Sequence, residues 1–391
     1  MAENSIKPRI RFKGYTDAWE QRKLGEVANI QKGQQLGKAE MSNNGAFYVL
    51  NGGMEPSGYT NQYNTFANTI SISEGGNSCG YVSLNLEQFW SGGHNYTLQN
   101  PRIDTFFLYQ WLKRHEKGIM ALRVGSGLPN IQKSALQDVI VAYPKKSEQR
   151  AIAEILNKID NLITLHQRKY DKFVNIKKAL LEKMFPQGDE TTPKIRFKGF
   201  TDAWEQRKLG EVGKAQSGVG FPDREQGGKA GVPFYKVSDM NNAGNEHEMC
   251  TANNYVSEAQ CKKNGWTPIT EISVVFAKVG AAIMLNRKRL VRISFLLDNN
   301  TMAYKFGTEW DIDFGKTLFE RIDLTDLVQI GALPSYNATD VECVEISLPD
   351  KPEQHRIGVL FKQLDNLITL HQRQLEKLKN IKSALLEKMF V

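Results

Sequence analysis

Cysteine is scarce: Cys79, Cys250, Cys261 and Cys343 are the only four in 391 residues. They form no C-x-x-C pair and have no histidine at ligand spacing. That pattern sets aside a disulfide scaffold and a zinc site, and it leaves the reduced thiols expected of a cytoplasmic protein. Long hydrophobic runs are missing as well. No window approaches the ~18 apolar residues of a membrane span, and Met1–Pro8 has no apolar stretch of the signal-peptide kind, so neither segment is expected. No two prolines are adjacent, which removes the Asn/Asp-Pro-Pro-aromatic motif of amino-methyltransferases. A phosphate loop is lacking too: Gly315-Lys316-Thr317 has Trp310 where the first glycine of G-x-x-x-x-G-K-[ST] should stand. Pro222-Asp223 and Pro349-Asp350 lack an acidic-x-Lys partner and read as a turn and a helix N-cap. The glycine pairs at Glu74-Gly-Gly-Asn77 and Gly227-Gly228 read as turns. Taken together, these absences point away from catalysis.

Repetition is abundant. Asp160-Asn-Leu-Ile-Thr-Leu-His-Gln-Arg168 recurs letter for letter at Asp365–Arg373. Around it, Ile152, Ile155, Leu156, Ile159, Leu162, Ile163, Tyr170, Phe173, Ile176, Leu180 and Met184 fall at helical spacing. The second copy repeats the stripe with Ile357, Leu360, Phe361, Leu364, Leu367, Ile368, Leu375, Leu378, Ile381, Leu385 and Met389. Each run predicts a helix roughly 57 Å long at ~1.5 Å per residue, too long for a small domain to cover. The two stripes are therefore expected to bury each other as an antiparallel two-helix coiled coil. His166 and His371 sit at equivalent seam positions and read as polar residues that set register.

A second repeat brackets the first. Pro8–Val27 returns as Pro193–Val212 with only Arg9/Lys194 and Tyr15/Phe200 changed. That offset is 185, whereas the helices, Pro144/Pro349 and Leu128-Pro129/Leu333-Pro334 repeat at 205. The extra length of the second half therefore lies between Val212 and Leu333. The bodies at about 28–127 and 213–332 share almost no recognisable sequence, yet both are rich in short β-like runs such as Phe47–Leu50, Thr69–Ile72, Phe234–Val237 and Ile272–Ala277. Asp104–Lys117 and Asp313–Ile322 read as short helices. The fold class expected is α+β: two α/β globules separated by the long antiparallel helix pair, with a pseudo-twofold internal repeat.

This combination resembles the specificity (S) subunit of type I restriction–modification enzymes. The residues that carry the resemblance are Trp19-Glu-Gln-Arg-Lys-Leu24 and Trp204-Glu-Gln-Arg-Lys-Leu209, the entries Pro144 with Glu148-Gln149 and Pro352-Glu353-Gln354, and the endings Ala179–Phe185 and Ala384–Phe390. It implies target recognition domains at 1–146 and 193–351, spacer helices at 147–185 and 352–391, and a linker at 186–192. It implies that each recognition domain reads half of a bipartite target in double-stranded DNA, and that the helices set the spacing and dock two methyltransferase (M) subunits. Restriction (R) subunits join the full complex. The chain itself would be non-catalytic and would bind no cofactor, with S-adenosylmethionine belonging to M, and ATP and Mg to R. Two rival readings are a self-contained DNA-modifying enzyme and a protein-only coiled-coil adaptor.

The net charge of +8 suits a polyanionic partner. Lys and Arg pair with phosphates or guanine, Asn and Gln with adenine, and Tyr packs on sugar. By that chemistry the candidates for DNA contact in the first body are Gln31, Lys32, Gln34, Gln35, Lys38, Asn61, Tyr63, Asn77, His94, Tyr96 and Arg123. In the second body they are Ser217, Arg224, Lys236, Ser238, Lys278, Arg287, Lys288, Arg289 and Tyr336. Ser126, Asn130 and Ser335, on the turns before the long helices, are candidates for backbone contact. Asn286–Arg289 is the densest basic cluster, with a solvated hairpin tip as its competing reading. Trp19 and Trp204, identical in both halves, are assigned to packing rather than to base reading.

Overall fold

Two long α-helices, Lys146–Lys183 and Lys351–Met389, organise the chain. The computed structural model describes residues 7–125, 127, 129–328 and 334–391. Tertiary contacts divide the protein into a unit of Met1–Gln167 with Arg373–Val391, and a unit of Arg168–Gln372. Each long helix is thereby shared between units instead of standing as a body of its own.

Within the first unit, Ile152, Ala153 and Leu156 from the start of one long helix enter the same core as Leu385, Leu386, Met389 and Phe390 from the end of the other. The two segments are antiparallel, as the stripes require, and Lys382 Nζ closes on Asp160 Oδ1 at 2.5 Å. The second unit repeats the arrangement with Ile357, Phe361 and Leu364 against Met184 and Phe185. There Lys177 Nζ meets Asp365 Oδ1 at 2.6 Å. His371 stacks on Phe173 with ring centroids 5.6 Å apart. Not every predicted stripe residue is covered: Leu162, Leu367 and Ile381 are exposed. The apolar stripe is wider than one antiparallel neighbour can hide.

The repeated opening motif becomes a β-strand in each unit. Glu20–Lys23 pairs antiparallel with Ile140–Tyr143, and Glu205–Lys208 pairs with Glu345–Leu348. The tryptophan before each strand is buried where that ladder, a short helix and a long-helix end meet. Trp19 lies edge-on to Phe107 and Phe390 at 5.7 and 6.2 Å, and Trp204 to Phe185 and Phe314 at 5.7 and 5.9 Å. The short helices Thr105–Arg114 and Ile312–Arg321 start at Asp104 and Asp311, whose carboxylates accept from backbone amides of the first turn. Arg11 grips Glu148 with two hydrogen bonds of 2.8 and 2.6 Å, and Arg196 grips Glu353 with two of 2.7 Å. Both glutamates are buried at the entry to a long helix.

The two bodies, unlike in sequence, have one topology. In the first, a four-stranded antiparallel sheet runs in the order Asn29–Lys32, Asn95–Gln99, Thr69–Ser73, Val82–Asn85. In the second, the order Gly213–Ser217, Thr301–Phe306, Ser273–Ala277, Lys288–Val291 is the same arrangement. Each body adds a three-stranded sheet whose central strand, Phe47–Leu50 or Val232–Tyr235, has one antiparallel and one parallel neighbour.

Candidate nucleic-acid interface

Strand ends and their loops bring many of the proposed contact residues together in the first body. Gly33 N donates to Asn95 O at 2.8 Å, Gln34 N to Ser91 O at 2.8 Å, and Glu74 N to His94 O at 2.9 Å. Gly75 bridges Asn130. Lys32, Gln34, Gln35, His94 and Asn130 therefore share one rim, with Asn77 exposed on the loop that follows Glu74. Two close approaches there require glycine: a Cβ on Gly33 would sit 2.2 Å from Gly92 O, and one on Gly92 2.5 Å from Asn51 Oδ1. Gln31 is exposed beside this rim on its strand, and exposed Arg123 adjoins it by preceding Val124, which bridges Asn130, while Lys38, Asn61 and Tyr63 are also exposed. Tyr63 packs tilted against Phe47 at 5.1 Å and edge-on to Phe66 at 5.7 Å, and Asn61 Oδ1 accepts from Ala46 N at 3.3 Å. Ser126 lies outside the described residues.

The second body has a matching rim. Lys278 Nζ donates to Ser217 Oγ at 3.1 Å, and Val279 bridges Ser335. Arg224 and Ser238 are exposed, and Lys236 is half-buried with its ammonium 3.3 Å from Gln226 Oε1. Arg287 is half-buried and donates to Asn241 Oδ1.

Four assignments are corrected. Tyr96 is a core residue: its hydroxyl donates to Glu74 Oε1 at 3.0 Å, and burial followed by that hydrogen bond pushes its pKa up to about 12. Tyr336 is equally buried, donating to Ala277 O at 2.5 Å, and burial raises its pKa. Lys288 does not point into solvent. Its ammonium donates to Asn286 Oδ1 at 2.6 Å and to Ile322 O at 2.5 Å, and burial pulls its pKa down to about 8. Arg289 lies partly inside, with a buried Nε that has no hydrogen-bond partner among the described residues. Burial first, and Arg287 second, lowers its pKa. The cluster at 286–289 is thus neither a free basic patch nor a solvated tip. Asn286 takes a left-handed turn at φ 46°, and its side chain also accepts from Leu324 N at 3.2 Å.

Glu74 is the residue the motif reading passed over as part of a turn. It accepts from Lys32 Nζ at 2.6 Å and from Tyr96, while His94 Nδ1 stands 3.7 Å from its other oxygen. The available signal was an acid at the end of the strand Thr69–Ser73, all of whose residues are buried.

Among the described residues one group has metal-ligand spacing, namely His247, Glu320 and Asp365. Lys177 and Lys316 already neutralise both carboxylates, with Lys177 2.5 Å from Glu320 and 2.6 Å from Asp365, and Lys316 3.0 Å from Glu320. Two ammonium groups at that spot oppose a divalent cation. The described cysteines are all free, Cys79 and Cys261 buried and Cys250 and Cys343 exposed. No helix among the described residues is long and apolar enough to cross a membrane.

Comparison with known proteins bears on this geometry. A family described as type I restriction modification DNA specificity domain matches residues 16–173 and again 201–380. A type I specificity subunit of Mycoplasma genitalium is 30% identical over 228 residues, 56% of this chain and 57% of that one. The specificity subunit of a type I restriction enzyme of Methanocaldococcus jannaschii is 26% identical over 281 residues, 68% of this chain and 63% of its own. The chain thus spans less than two thirds of the length of these relatives. A crystal structure of a type I restriction-modification S subunit from M. genitalium shares the fold over 99% of both chains, with a TM-score of 0.75 at 23% identity.

Proposed function

The chain belongs to the type I restriction modification DNA specificity family, and from that premise we propose that it selects the DNA sequence for a type I restriction–modification complex. Each body reads one half of a bipartite duplex target, and the paired helices set the gap and dock methyltransferase subunits. One observation carries the reading: a single fold occurs twice, with the buried joints matched and the rims different. Arg11–Glu148 and Arg196–Glu353 are the same joint, whereas the rims present Lys32, Gln34, Gln35 and His94 in one body and Ser217 and Lys278 in the other. Two readers of different sequences need that combination.

The helices support the docking role. Leu162 and Leu165 are 44% and 47% exposed, and their repeat counterparts Leu367 and Leu370 are 36% and 50% exposed. Apolar residues left uncovered at the same positions of both copies suit two copies of one partner protein. On this reading the chain performs no chemistry. S-adenosylmethionine is held by the methyltransferase subunits, ATP and magnesium by restriction subunits, and the complex works in the cytoplasm. Affinity comes chiefly from phosphate contacts and specificity from a few base edges in each body.

The test is to supply the full chain with a type I methyltransferase subunit and S-adenosylmethionine and to map the methylated adenines. Two short specified stretches separated by an unspecified gap are expected. Methylation at one continuous site, or none that depends on this chain, overturns the proposal.

A further inference from the structure

Strand register identifies one position at which the two bodies oppose each other in charge. In the first body Lys32 lies opposite Tyr96, and Tyr96 opposite Ile72. In the second, Ser217 lies opposite Met302, and Met302 opposite Phe276. Two residues beyond Ile72 stands Glu74, and two beyond Phe276 stands Lys278, each the first residue past the end of its strand, Thr69–Ser73 or Ser273–Ala277. The next residue of each makes a matched bridge, Gly75 to Asn130 and Val279 to Ser335. Glu74 is tied to Lys32 as Lys278 is tied to Ser217, so their neighbours match as well.

The two groups share one trait, an unused capacity for hydrogen bonding. Glu74 is 9% exposed, and its Oε1 already takes Lys32 and Tyr96. Its Oε2 is buried, with no hydrogen-bond partner among the described residues. A carboxylate oxygen without a donor is costly in a folded protein, and the exposed His94 ring has its Nδ1 3.7 Å away. Lys278 has three donors, and its ammonium has Ser217 as its hydrogen-bond partner in the described residues.

We propose that Glu74 and Lys278 are the matched specificity-determining residues of the two bodies. Glu74 takes a base edge that donates, the exocyclic amine of cytosine or adenine. Lys278 takes a base edge that accepts, the O6 and N7 of guanine. The inference rests on the function proposed above and adds which chemistry each half-site must contain. It gives the rim one fixed point where a change of residue changes the base selected, while the shared framework remains intact.

The experiment selects duplexes from a randomised library with the full chain bound to its methyltransferase partner, comparing the parent with E74Q and K278Q. The parent control separates the two ideas, because a parent that enriches no bipartite sequence overturns the function itself. Given a parent motif, E74Q is expected to relax preference at one position of one half-site by at least about fivefold, the lower end for one good base contact, leaving the other half-site unchanged. K278Q is expected to do the same, at a guanine, in the other half-site. Lys278 is half-buried and outside the hydrophobic core, so this variant decides the matter even if E74Q does not fold. Unchanged base preference in K278Q, or an equal loss of affinity for all sequences in either variant, overturns the proposal.

Discussion

Replacing Glu353 by alanine removes the acceptor from the joint where the second long helix begins. The Arg196 guanidinium holds this carboxylate with two bonds of 2.7 Å, and Trp204 Nε1 donates to it at 3.1 Å. Glu148 plays the same part toward Arg11, but Trp19 Nε1 has no hydrogen-bond partner among the described residues. Breaking a buried pair by removing one charge costs about 3–5 kcal/mol, which applies to both E148A and E353A because both carboxylates are buried. E353A also orphans the Trp204 indole, a further loss of about 1–3 kcal/mol. At ~2–4 °C per kcal/mol for a unit of this size, E148A should lower the melting temperature of the first unit by roughly 6–20 °C. E353A should lower that of the second unit by about 2–12 °C more than that. Thermal melting of the full chain, with hydrogen exchange to assign each loss to its unit, reads the difference. An E353A protein within 2 °C of the parent by that assay, or an E148A loss as large as that of E353A, refutes the reasoning.

Two further outcomes follow from the second unit. Burial holds the His247 imidazole below its ordinary value, so the unfolded chain takes up its proton first and stability falls as pH drops below about 6.5. Asp365 is also held low: burial alone would raise it, but Lys316 and Lys177 outweigh that, so its contribution is lost only below the ordinary carboxylate range near ~4. H247Q should therefore flatten the fall in melting temperature between about pH 6.5 and 5, and an unchanged slope there refutes the assignment. K288A should destabilise the second unit by about 1–3 kcal/mol, because Ile322 O loses its donor, and should leave the salt dependence of DNA binding alone. A fall of about one in that slope would return Lys288 to the DNA surface.

What could be read without coordinates was whatever was periodic or written twice. The stripes through Ile152–Met184 and Ile357–Met389 led to both long helices within a few residues of their ends, and identity of Trp19 with Trp204 led to a shared packing joint. The common topology of the bodies was hidden, because their strands are two to six residues long and their equivalence lies in register rather than in residue type. Burial of single polar residues was hidden for a similar reason. Tyr96 and Tyr336 resemble surface tyrosines until their hydroxyls are seen to reach Glu74 and Ala277. Lys288 stands in a basic run, yet the turn at Asn286 sends its ammonium toward Ile322.

The placement of Phe390 against Trp19 and Phe107 bears on how the protein is made. A ribosome delivers Trp19 long before Phe390. At ~5–20 residues per second, the roughly 220 residues after Gln167 take about 11–44 s to arrive. Throughout that interval the first globule carries an unfilled aromatic slot. Its nascent surface is therefore the stage at which chaperones, or a misplaced helix end from another copy, compete for the slot.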